Sequence, residues 1–253
     1  MTHGDCDKPA ALRVRREKEA LDLSAKRVKP VPQTSGGTHD LPGETFRLLS
    51  DDIAYIKLSS IKGQDLGSLI NAAAKTKGLI IDIRNYPSEF VVFTLGGHLF
   101  DKTTNFVRFT IGDLSNPGAF HWTEPLPIKP LQPHYKGKVV ILIDEVTQSQ
   151  AEYTSMAFRV APGAVVIGSM TAGADGNVSQ IPLPGGLNTM ISGIGVFYPD
   201  KRPTQRVGIV PDKEVKPTIA GIRAGRDEVL EAAMHEILGP EAKIPDYPST
   251  LRQ

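Results

Sequence analysis

The chain has one cysteine, Cys6, in 253 residues, which excludes an internal disulfide and any cysteine-rich metal centre. An excess of charge is missing too. With 29 basic residues against 28 acidic and a net charge of +1, no basic patch of the kind a phosphate backbone calls for is advertised, so nucleic acid is not the expected partner. No apolar run approaches the ~18 to 20 residues of a membrane helix, and no integral membrane segment is expected. Met1 to Ala10 is mostly polar, with Asp5 and Asp7 where the basic and apolar parts of a signal peptide would sit. That leaves a cytoplasmic protein, a mature form or a fragment. What the chain has in plenty is glycine (24) and proline (20), so many turns punctuate short elements.

Residues 11 to 29 alternate, with Leu12 and Val14 before a charged Arg15-Arg16-Glu17-Lys18 turn and Leu21 and Leu23 after it. This spacing predicts a two-stranded hairpin without a core. Residues 30 to 45 are rich in proline, glycine and serine without periodicity, and read as a linker. A main domain over 46 to 240 then alternates strands and helices, and 241 to 253 form a tail. Ile53 to Leu58, Leu79 to Ile83, Val139 to Ile143 and Val165 to Ile167 are apolar strands. Helices are expected with Leu66, Leu69, Ile70 and Ala73 on one face, at about Gln150 to Val160, and through Val229, Leu230, Ala233, Ile237 and Leu238 until Gly239-Pro240. Near-continuous apolar strands separated by helices imply an α/β sheet covered on both faces. Leu183 to Tyr198 reads as a further hairpin.

Most of the chemical information lies between Asp144 and Tyr153. A buried strand ends at Asp144, and after a short polar turn Ser149 stands at the first turn of a helix, where unpaired backbone N–H groups and the helix dipole favour negative charge. A serine nucleophile gains most in such a place, and its oxyanion would face free amides such as that of Gln150. The alternative is that Ser149 is an ordinary N-cap, a position serine prefers. The Gly-x-Ser-x-Gly pattern of hydrolase elbows is absent.

Five blocks occur in order across residues 46 to 240: Gly78 to Pro87; Val140 to Glu145 with Ser149 and Glu152; Ile167 to Val178; Leu183 to Gly186; and Val207 to Asp212 with Gly225-Arg226-Asp227. Together they resemble the serine peptidase family of C-terminal processing peptidases, the tricorn core protease and interphotoreceptor retinoid-binding protein modules. The resemblance implies a crotonase-like fold (ClpP/crotonase type) of ββα units, a central sheet flanked by helices, with Ser149 as nucleophile and Glu152 supporting it. It also implies peptide or unfolded protein as substrate, no cofactor and no metal, and leaves a homo-oligomer open. The family's aspartate-arginine turn continues into paired glycines, one amide of which helps bind the oxyanion, and Ser88-Glu89 stand in their place. Gly173 and Ala174 fall where the family contacts substrate.

A serine hydroxyl needs a base, which the family supplies as lysine or histidine. The position matching the lysine is Ala174, and that matching the strand histidine is Lys57. Lys57 and, after it, His98 are therefore the candidates, against the reading of Lys57 as a surface residue and His98 as structural. Gly168 to Gly173 has phosphate-loop spacing but continues Ala174-Asp175 where lysine and Ser/Thr are required, and His235-Glu236 lacks its second zinc-ligand histidine. Phe106, Phe109, Phe120, Trp122 and Tyr135 are core or groove.

Many members carry a PDZ domain before the core, and residues 1 to 29 look like the last two strands of one. This suggests a truncated form of a longer precursor, and the family implies a periplasmic or extracytoplasmic location in a bacterium. Two other functions stay open: a non-catalytic peptide-binding module that has lost its base, and a crotonase-type acyl-CoA enzyme.

Overall fold

A computed structural model describes residues 4–16, 19–29, 41 and 43–247. The chain divides into two units, residues 1–35 and 36–253. The first holds the hairpin, β1 (Ala10–Arg16) against β2 (Glu19–Ala25), antiparallel with Leu12 opposite Leu23 and Val14 opposite Leu21. Leu12 and Leu23 stay 43% and 44% exposed, so the strands bury no core, as alternation predicts. Turn residues 17 and 18, like most of the expected linker, lie outside the described residues.

The second unit is built on six strands: β3 (Phe46–Ser50), β4 (Ile53–Lys57), β5 (Gly78–Asp82), β9 (Lys138–Ile143), β10 (Val165–Gly168) and β14 (Lys213–Glu214). Their order is β14-β10-β9-β5-β4-β3, with β3 antiparallel to β4 and every other pair parallel. Alternate residues of the apolar strands serve two separate cores. Leu79, Ile81, Ile141, Ile143 and Val166 pack on one face with α1 (Leu66–Ala73), α2 (Val92–Gly97) and α3 (Gln150–Arg159). Tyr55, Ile80, Val140, Leu142 and Ile167 pack on the other, under Val229, Leu230, Ala233 and Met234 of the last helix, α5 (Glu228–Leu238), which follows the short α4 (Ile219–Ala224). Burial on both faces is why these strands lack a polar alternation. A smaller antiparallel sheet stands beside the first core: β6 (Thr104–Gly112) pairs with β7 (Phe120–Trp122), β8 (Leu126–Ile128) and β13 (Gly195–Phe197).

Three boundaries differ from the sequence reading. Leu41, inside the expected linker, is buried in the α5-side core, where Ile244 and Tyr247 of the expected tail also pack. The glycine-rich hairpin begins earlier, as β11 (Val178–Leu183) and β12 (Leu187–Ser192) around Gly185 and Gly186, whose φ angles are 85° and 77°. Gly195–Phe197 joins the small sheet instead, because Val196 can be buried there while both arms of the hairpin stay exposed.

An ion network joins the end of β5 to the start of α5. Arg84 is 2% exposed. Its Nε and Nη2 donate to Asp82 at 3.0 and 2.6 Å, and Nη1 and Nη2 donate to Asp227 at 2.8 and 2.9 Å. Asp82 also accepts from the Tyr55 hydroxyl at 2.9 Å, and Asp227 caps α5 by accepting from Leu230 N–H at 3.0 Å. Burial by itself lowers the Arg84 pKa, but the two carboxylates outweigh it and hold the guanidinium charged.

Candidate active site

The loops that follow β5, β9 and β10 converge beyond the carboxyl ends of the parallel strands, where open α/β sheets commonly place their sites. The loop after β9 is tightly folded. Asp144 Oδ1 accepts from the N–H groups of Val146 and Thr147, both at 3.1 Å, and the Thr147 hydroxyl donates to Ile83 O at 3.2 Å, tying this loop to β5. The chain then turns into α3 through Ser149, with φ 53° and ψ −124°. A non-glycine residue there holds strain of about 1–3 kcal/mol, which an ordinary N-cap with extended backbone does not carry. Ser149 faces a cavity of about 350 Å³ walled by Tyr86, Phe90, Phe109, Tyr153, Ile194 and Val196, with Gln150, Asp175, Gly176 and Asn177 at its polar side. Tyr153 stacks on Phe90 and Phe109 and meets Phe106 edge-on. One wall of the cavity is therefore a continuous aromatic surface.

Glu152 is fully buried and stands one helical turn behind Ser149. Its carboxylate accepts from Ser149 N–H at 3.2 Å, Gly173 N–H at 2.8 Å, Ala174 N–H at 2.9 Å and the Thr171 hydroxyl. Thr171 in turn accepts from Ile209 N–H at 2.7 Å. With so many donors fixed on it, Glu152 binds the loop after β10 to the start of α3. Gly168 lets that loop leave the sheet. Its φ is 137°, and a Cβ there would lie 1.8 Å from Ile143 O.

The other residues nominated from sequence fall elsewhere. Lys57 shares the strand face of Tyr55 and donates to Leu41 O at 3.1 Å, both in the α5-side core, whereas α3 packs on the opposite face. His98 ends α2, with Nδ1 2.7 Å from Pro133 O. Neither lines the cavity of Ser149. The Ser88 amide donates to Leu58 O at 2.9 Å and its hydroxyl to Ile61 O at 2.7 Å, so the oxyanion role expected of that amide is corrected: it is already engaged. The amides of Gly173 and Ala174 are likewise held by Glu152, and Gly173 O accepts from Arg206 N–H at 2.7 Å, so their backbones shape the site rather than offer free substrate contacts. Gln150 does line the cavity, and as the first residue of α3 its N–H has no intrahelical partner. Its side chain donates to Glu89 O at 3.0 Å, joining α3 to the loop after β5. Of the aromatic set, Phe109 reaches the cavity, Phe106 backs it, and Tyr135 is core, bonded to Thr76.

Sequence reasoning missed Asp175, which entered only as a mismatch to a phosphate loop. It is 6% exposed. Burial pushes its carboxyl up to about 7; the Gly176 N–H bond at 2.7 Å opposes this and the nearby Glu152 adds to it. Burial and then Asp175 also raise the Tyr153 hydroxyl. The available signal was an acidic residue beside Gly176 and three positions before β11, in a loop that follows a buried strand.

Ser149 thus combines a strand–turn–helix position with a strained backbone at the carboxyl ends of a parallel sheet, a placement like that of the serine in the elbows of α/β hydrolases. The sequence matches the profile of peptidase family S41 over residues 52–215, and the chain belongs to that family. No curated protein matches it. Among solved structures it is similar to a peptidase from Parabacteroides merdae, at 23% identity and TM-score 0.69 over 79% of this chain and 66% of that one. It is similar also to mature CPAF complexed with lactacystin, at 13%, 0.66, 92% and 67%, and to the photosystem II D1 C-terminal processing protease, at 16%, 0.53, 96% and 62%. The chain thus spans about two thirds of the length of these structures. At such identities the likeness is one of fold, and it agrees with the crotonase-like sheet expected from the sequence blocks.

Proposed function

We propose that the protein hydrolyses peptide bonds through an acyl-enzyme on Ser149. The observation that carries this reading is the strained Ser149 backbone at the mouth of an aromatic cavity. In the proposed reaction Ser149 Oγ adds to the carbonyl carbon, the developing oxyanion is met by N–H groups at the start of α3 such as that of Gln150, and an apolar substrate side chain lies on Tyr153 and Phe109. Glu152 acts at one remove, by holding the turn. The antiparallel pair β1 and β2 fits two strands of a PDZ domain.

The test is fluorophosphonate labelling of the full chain followed by peptide mapping. An adduct is expected at Ser149 and its loss in Ser149→Ala; an unmodified Ser149 defeats the hydrolase reading. The strain makes a second prediction. Ser149→Gly should lose the adduct yet gain about 1 kcal/mol of stability in urea denaturation, because glycine adopts φ 53° without the steric penalty. A destabilised glycine variant would show that the hydroxyl is needed as a cap.

A non-catalytic peptide-binding module is the second reading, favoured by the placement of Lys57 and His98 away from the cavity. It requires that peptides bind without turnover and that Ser149→Ala binds them equally well.

A further inference from the structure

The aromatic cavity is bordered by a buried side-chain oxygen that has no hydrogen-bond partner among the described residues. Asp175 is held from both sides: Gln205 Nε2 donates to its main-chain carbonyl at 2.9 Å and to Ile194 O at 3.0 Å, while Gln205 Oε1 accepts from Val196 N–H at 3.2 Å. The loop carrying Asp175 is thereby fixed to the β13 wall of the cavity. Gly176 allows the close approach, since a Cβ there would lie 2.5 Å from Ser192 Oγ and 2.6 Å from Gln205 Nε2. Within this frame Oδ1 of Asp175 is engaged by Gly176 N–H, whereas Oδ2 is buried and has no hydrogen-bond partner among the described residues. An unpaired buried carboxylate oxygen costs free energy and calls for an explanation. It borders the same cavity as Ser149, which Lys57 and His98 do not.

We propose that Asp175 is the general base of the reaction, with Oδ2 taking the Ser149 proton directly or through one water. This rests on the peptidase reading of Ser149 and supplies what that reading otherwise lacks.

The step balances without any further reactant. As the Ser149 Oγ–carbon bond forms, the proton passes to Oδ2 and the carbonyl electron pair moves to the oxyanion. Collapse breaks the carbon–nitrogen bond, and the departing amine takes the proton from Asp175. Water then repeats the sequence: its proton goes to Oδ2, its oxygen attacks the ester, and Ser149 Oγ recovers a proton as it leaves. A base works best with a pKa close to the operating pH, and burial sets Asp175 there, at about 7. The titratable groups facing it are Glu152 and Tyr153 of α3, the first of which raises its pKa, with Tyr86 across the cavity. The remaining wall is apolar, with Phe109 of β6, Val196 of β13 and Ile194 just before β13.

The experiment measures the rate of fluorophosphonate labelling at Ser149 against pH in the full chain. In the wild-type protein the rate should rise through an inflection near pH 7 and level off above it, as Asp175 ionises. Asp175→Asn, nearly isosteric and able to keep the Gly176 bond, should label at least about 100-fold more slowly and lose the inflection, general-base catalysis contributing typically ~10²–10⁴-fold. Asp175→Ala should recover part of the rate with added formate, a small carboxylate that fits the vacated space. Thermal unfolding identifies any variant that does not fold. If neither variant folds, the wild-type profile decides, and a flat profile between pH 6 and 8 overturns the assignment. An Asp175→Asn protein that labels at the wild-type rate with the wild-type profile removes Asp175 as base and leaves the Ser149 reading standing. A wild-type protein that never labels removes both.

Discussion

Arg84→Met is expected to destabilise the domain by about 3–5 kcal/mol, the cost typical of removing one partner from a buried ion network. The guanidinium is enclosed between Asp82 and Asp227 and donates to both carboxylates. Methionine fills much of the volume but leaves two carboxylates facing each other in the α5-side core. The damage spreads along two elements, because Asp82 ends β5 and Asp227 caps α5. Denaturant titration checks the magnitude. The network should also be strongly non-additive: Arg84→Met combined with Asp82→Leu and Asp227→Asn, which keeps a capping oxygen, should recover part of the loss because no unpaired charge remains. An unchanged midpoint in Arg84→Met alone would mean that the ion cluster contributes nothing to folding.

This cluster also shows how the sequence could and could not be read. Asp82 and Arg84 stood in one recognised block and Asp227 in another, yet 143 residues separate Arg84 from Asp227. Neither periodicity nor block order carries information about that pairing. The apolar strands were legible because burial on both faces imposes a composition that survives any tertiary detail. Helices α3 and α5 were legible because their capping and amphipathic spacing are local. The position of Ser149 between a buried strand and a helix was legible for the same reason.

The distance of Lys57 from the Ser149 cavity was not legible, since position along a strand does not say which face of the sheet a side chain takes. Lys57 matches a family position but shares a face with Tyr55, toward Leu41. Ser88 failed for a similar reason: its amide is spent on Leu58 O, a contact across 30 residues. Asp175 was overlooked because aspartate followed by glycine ordinarily marks a solvated turn. Only the packing of Tyr153, Ile194 and Gln205 around that turn removes it from water.

Two features of the site therefore work against stability, the backbone of Ser149 and the buried carboxyl of Asp175. Since burial raises the Asp175 pKa from 3.8 to about 7, the native state binds more protons than the unfolded chain between those values. The stability this group contributes is present in acid and declines as pH rises through about 7. Such costs persist only where surrounding structure over-determines the geometry. Here that structure is the Glu152 carboxylate, which holds the Ser149 turn and the Asp175 loop at once.

Glu152→Gln is accordingly expected to cost about 2–4 kcal/mol of stability and to slow fluorophosphonate labelling at Ser149 by about 100-fold, despite being almost isosteric. One carboxylate oxygen accepts from Ser149 N–H and Ala174 N–H, the other from Gly173 N–H and the Thr171 hydroxyl. Glutamine has a single acceptor oxygen. With the amide nitrogen toward Ser149 and Ala174, a donor faces two donors. Turned over, it can donate to Thr171 but still faces the Gly173 N–H. Either way at least one buried backbone donor loses its partner, at ~1–3 kcal/mol each, and the charge that completes the helix N-terminus is lost as well. Activity should fall beyond what stability explains, because the loop released from Glu152 is the one that carries Asp175. Labelling measured well below the melting temperature separates the two effects: a folded Glu152→Gln protein that labels at the wild-type rate would show that Ser149 and Asp175 are positioned without this carboxylate.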